Sequence, residues 1–99
     1  MATKTWKIGE RCKGGIITVE IKGKVITVIG KEWDNSAGYT RSSNQSNAKE
    51  WCRETFHANN SQVKWNLDCY LSDLSTSYHA SQIIDWVKSK VELNNEFQY

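Results

Sequence analysis

The chain has 99 residues, enough to bury one hydrophobic core and too few for two. Apolar residues make up 38% and charged residues 24%, which excludes a disordered polymer and implies a small core. The net charge of +2 falls short of the basic excess by which nucleic-acid binders are recognised from composition.

The charge is uneven along the chain. Residues 1–33 carry seven Lys/Arg against three Glu, a balance of +4, and the remainder carries six against eight, or −2. No apolar run is long enough to span a bilayer, and the first nine residues hold no hydrophobic stretch of the signal-peptide kind. The sequence therefore points to a cytoplasmic protein without membrane contact. Cys12, Cys52 and Cys69 are odd in number and widely spaced, which suits reduced thiols better than a disulfide framework.

Taken in chain order, Lys4 to Ile8 alternates around Trp6 and Ile8 and reads as a short edge strand, its lysines suiting an edge. A loop from Gly9 to Gly15 follows. Between Gly15 and Trp33, β-branched residues crowd both sides of Lys22-Gly23, the signature of a hairpin. A turn at those two residues sets Ile21 against Lys24, Val19 against Ile26 and Ile17 against Val28. One face then carries Ile17, Val19, Ile21, Ile26 and Val28, and the other is mixed, with Ile16 and Ile29 among Thr and Glu.

From Asp34 to Asn47 the chain is rich in Ser, Asn and Gly and reads as a long loop carrying Tyr39 and Arg41. Over residues 47–57, Ala48, Trp51, Cys52, Thr55 and Phe56 follow helical spacing behind the cap-like pair Asn47 and Glu50. A short helix is predicted there, with an alternating strand over Trp51 to His57 as the competing reading. After a turn at Asn59-Asn60-Ser61, Val63, Trp65, Leu67 and Cys69 alternate with polar residues, which predicts a strand. Ala80, Ile83, Ile84, Val87 and Val91 form one stripe and predict a helix, capped by Ser72, Asp73 or Ser75 and ended near Asn94-Asn95. The expected fold class is α+β, one domain over 1–99: a three- to four-stranded antiparallel sheet with the C-terminal helix packed on one face and a short middle helix as an option.

No pattern names a reaction. Cys52 with His57 and Cys69 with His79 are the only thiol and base pairs to weigh, and neither has a local signature. Residues 52 and 57 of a helix would face about 140° apart. Three Cys and a His lack the close ligand pair that begins a structural zinc site. Gly9, Gly14 and Gly15 flank Arg11-Cys12-Lys13 but precede a strand, unlike a phosphate-binding loop. No catalytic, cofactor-binding or metal residue is assigned.

The unusual feature is aromatic. Five Trp and four Tyr are many for so short a chain, and most must fill the core, Trp65 and Trp86 at the sheet–helix interface. Trp33 beside Lys31, Tyr39 beside Arg41, and Tyr78 opposite the apolar stripe remain as exposed candidates. With Lys22 and Lys24 they form the predicted partner-binding set.

The stretch from Lys22-Gly23-Lys24-Val25 to Trp33, followed by a C-terminal helix, resembles the strand-rich single-stranded-DNA-binding domains of the positive-coactivator type. The long insertion between Asp34 and Val63 departs from that pattern. The sequence reading is a non-catalytic small binding module, an intracellular adaptor or inhibitor acting by protein–protein contact. The alternative is a single-stranded nucleic-acid-binding domain using the basic hairpin and exposed aromatics.

Overall fold

β-branched side chains lose little by lying on a pleated surface, and they dominate the first third of the chain. The computed structural model describes residues 1–7, 13–34, 49–75 and 77–94. Four strands, β1 (Ala2–Lys7), β2 (Lys13–Lys22), β3 (Val25–Asp34) and β4 (Lys49–His57), are followed by α1 (Val63–Leu74) and α2 (Ser77–Lys90). The strands form one antiparallel sheet in the order β1-β2-β3-β4. A four-stranded antiparallel α+β fold is what the sequence led us to expect.

The hairpin has the expected faces and a different register. Lys22 pairs with Val25, Ile21 with Ile26 and Val19 with Val28, so the turn is Gly23-Lys24 rather than Lys22-Gly23. Gly23 adopts φ 63°, and among the described residues no other has a positive φ. That suits a turn with glycine at its first central position, as in type II′ hairpins. The partner of each residue moves by two positions, and a shift of two preserves the faces. β2 also begins at Lys13, so Gly14 and Gly15 belong to the strand rather than to a loop. β1 pairs along the other edge of β2, Trp6 opposite Ile17, as its lysines suggested.

Two elements differ in kind from expectation. Residues 49–57 are a strand, not a helix. Phe56 pairs with Ile26 and is buried there, and this long-range pairing overrides a helical spacing that had no tertiary partner. Residues 63–70 belong to a helix, not a strand. Val63, Leu67 and Leu71 recur every four residues and are buried, whereas Trp65 is 70% exposed and Cys69 is exposed. The alternation ending at Cys69 was the shorter pattern, and the helical one continues through Leu74.

The core is a single cluster. Ile17, Val19, Ile21, Ile26, Val28 and Phe56 from the sheet meet Val63, Leu67 and Leu71 of α1 and Ala80, Ile83 and Val87 of α2. The stripe predicted for α2 is the buried one, with Ile84 and Val91 at its margin. Trp86 is half-buried and meets Trp6 edge to face, 5.5 Å between centroids, so it does reach the interface. Ser72 and Asp73 lie within α1, and Ser75 ends it: its N–H and its hydroxyl both donate to the Leu71 carbonyl. Asn94 does not take a left-handed conformation. Its N–H donates to Ala58 O and its side-chain amide to Asn59 O, which ties the segment after α2 to the turn between β4 and α1.

The opposite sheet face is mixed, as read from the sequence. Ile16 and Ile29 are buried on it, beside Thr18, whose hydroxyl bonds that of Thr5 at 3.0 Å. No helix among the described residues is long and apolar enough to cross a membrane.

Candidate functional site

β4 is the last strand of the sheet, and among the described residues its only strand partner is β3. Alternate residues of such a strand point N–H and C=O groups outward. A groove of about 390 Å³ is lined by four consecutive β4 residues, Glu54, Thr55, Phe56 and His57, then by Asn60, and by Val63, Asn66, Cys69, Tyr70 and Asp73 of α1. Consecutive strand residues point to opposite faces. Glu54 and Phe56 pair with Val28 and Ile26 on the helix side, while Thr55 and His57 pair with Thr27 and Val25 on the other. A cavity bounded by all four must therefore run along the strand's edge, and β3 occupies the inner one.

The floor of the groove is apolar and its walls are polar. Phe56 and Val63 are buried, and Phe56 meets the Tyr70 ring edge to face at 5.6 Å. Burial first, then a hydrogen bond with Cys52 and the nearby charge of Glu54, hold the Tyr70 hydroxyl well above the ordinary phenol value. Tyr70 is therefore neutral at physiological pH. Glu54 and Asp73 are exposed on the two walls, and the ten lining residues include no Lys or Arg.

Farther along β4 the register slips at Gly30/Lys31. The extra residue brings Glu50 and Arg53, three apart in sequence, onto the same face, opposite Lys31 and Ile29. There the Arg53 guanidinium grips Glu50 with two hydrogen bonds of 2.9 and 2.8 Å. This hydrogen bonding, with the positive charges of Arg53 and Lys31, holds Glu50 below the usual carboxylate value.

The residues singled out from the sequence are not gathered in one place. Lys22 and Lys24 are exposed at the hairpin turn. Lys31 pairs with Ile16 at the other end of the same hairpin, about 20 Å away at about 3.4 Å per residue. Tyr78 is 68% exposed on α2, in the helix layer. Trp33 lies in β3 opposite Gly14; Tyr39 and Arg41 fall outside the described residues.

Cys52 and His57 are an odd number of residues apart on a strand and so face opposite sides. Cys69 opens on the groove, and His79 lies against Tyr78 on α2. Among the described residues no three His, Cys, Asp or Glu side chains are grouped to hold a metal ion.

The groove was missed in the sequence because it needs both revised elements at once. The alternation from Trp51 to His57 was the available signal: a strand there, followed directly by a helix, is a natural sheet edge. No known protein family, curated protein or solved structure matches this chain.

Proposed function

We propose that this chain is a non-catalytic binding module that acts by contact with another protein, as an adaptor or inhibitor in the cytoplasm. The observation that supports this reading is the groove along the outer edge of β4, which sets backbone groups that no strand among the described residues pairs beside an apolar floor. A segment that adds to such an edge gains main-chain hydrogen bonds, and the adjoining pockets select its side chains. The free thiols of Cys52 and Cys69 suit a reducing compartment.

The test has two arms on the full chain. Selection from a displayed random-peptide library, followed by calorimetry of the selected peptides, is expected to yield binders of micromolar affinity. A library that fails to enrich overturns the reading. Fluorescence anisotropy with a labelled mixed-sequence single-stranded oligonucleotide is expected to show no micromolar binding at low salt. Binding that falls steeply with salt, and falls further in a Lys22→Ala, Lys24→Ala variant, overturns the reading in favour of nucleic acid.

A further inference from the structure

Resting on the reading that a protein is the partner, we propose that the β4 groove takes an extended segment bearing Lys or Arg, which adds to the outer edge of β4 as a further strand. The geometry supplies the main-chain part. The groove touches residues 54–57 in succession and continues to Asn60, room for about four or five strand residues at about 3.3 Å each. Within that stretch β4 has no Pro, no Lys and no register shift. Those are the usual devices that keep an edge from pairing. The opposite edge, β1, carries lysines: Lys4 and Lys7 flank Trp6, and Lys4 Nζ lies 5.5 Å from the Trp6 ring centre.

The charge supplies the chemistry of the side chain. Glu54 lies on the helix side of the sheet, opposite Val28, and a charge placed there repels a purely apolar strand. It faces a wall that carries Asp73, with no cation among the lining residues. Arg53, the nearest guanidinium in sequence, points to the other face and is held by Glu50. A Lys or Arg from the incoming segment meets two carboxylates and the neutral Tyr70 hydroxyl, with its methylenes over Phe56 and Val63. An acidic segment sets its carboxylates against those of Glu54 and Asp73.

The experiment repeats the library selection on the full chain and on the Glu54→Lys, Asp73→Lys variant. Neutral Glu54→Gln, Asp73→Asn serves as a second variant, and thermal unfolding checks that both fold. The wild type is expected to select peptides enriched in Lys or Arg, and charge reversal to weaken them about tenfold or more. Amide exchange at residues 54–57 is expected to slow when such a peptide binds. Selected peptides without basic enrichment, an affinity indifferent to both variants, or protection elsewhere on the chain overturns the inference and leaves the protein-partner reading standing. No enrichment at all overturns that reading instead. A chain that dimerises by size-exclusion chromatography, with residues 54–57 protected in the dimer, makes a second copy the occupant and overturns the inference too.

Discussion

Leu67 and Trp65, two positions apart on α1, show how much one side chain's direction decides. Leu67 is fully buried and Trp65 is 70% exposed, although the indole is the larger apolar group. Leu67→Ala is expected to cost about 2–5 kcal/mol, the lost transfer energy plus a cavity. Trp65→Ala is expected to stay within about 0.5 kcal/mol. Denaturant midpoints of the two variants check this, and equal losses would mean that the helix is rotated from the phase described. Sequence alone could not rank these two residues, because Val63, Trp65, Leu67 and Cys69 satisfy a strand's period while Val63, Leu67, Leu71 and Leu74 satisfy a helix's. The longer pattern wins because it has a sheet to pack against.

At the level of elements, the hairpin and β4 carry separate predictions. Gly23 has φ 63° and open space around its would-be Cβ, so any cost of a side chain is a backbone cost. Gly23→Ala is expected to destabilise by about 1–2 kcal/mol and Gly23→Asn by less, since Asn tolerates the left-handed region. Thermal unfolding of the pair distinguishes this from crowding, which would penalise the larger Asn more. In β4 the folded state holds Glu50 below its ordinary value. The stabilisation is therefore present above that ordinary value and is lost as pH falls through the lower, folded one. Both partners are exposed, so the effect on stability is small, and the direct readout is an NMR titration of the Glu50 carboxyl. Its midpoint is expected below the usual glutamate value and to rise toward it in Arg53→Ala, Lys31 remaining in place; an unchanged midpoint would remove the pairing. The hairpin faces and the α2 stripe were legible because their periods are long and uncontested. The bulge that joins Glu50 to Arg53 was not, because it exists only relative to β3.

For the whole molecule, fold class follows from local pattern, and the groove follows from assembly. The sheet and the last helix could be read from residues 15–33 and 80–91. The groove required knowing that residues 49–57 pair with β3 and that residues 63–74 then turn back over the sheet. The strand order itself has a further consequence. Each strand hydrogen-bonds to its neighbour in the chain, so during synthesis the ladder can be laid down as the chain emerges, with little loop entropy to overcome. The helices come last. Until α1 and then α2 leave the ribosome, Ile17, Val19, Ile21, Ile26 and Val28 form a naked oily sheet, the species most prone to aggregate. Ribosome-stalled chains in which only residues before 77 have left the exit tunnel should therefore bind chaperones and resist release, and those carried on a C-terminal linker long enough to bring residue 94 outside it should let go.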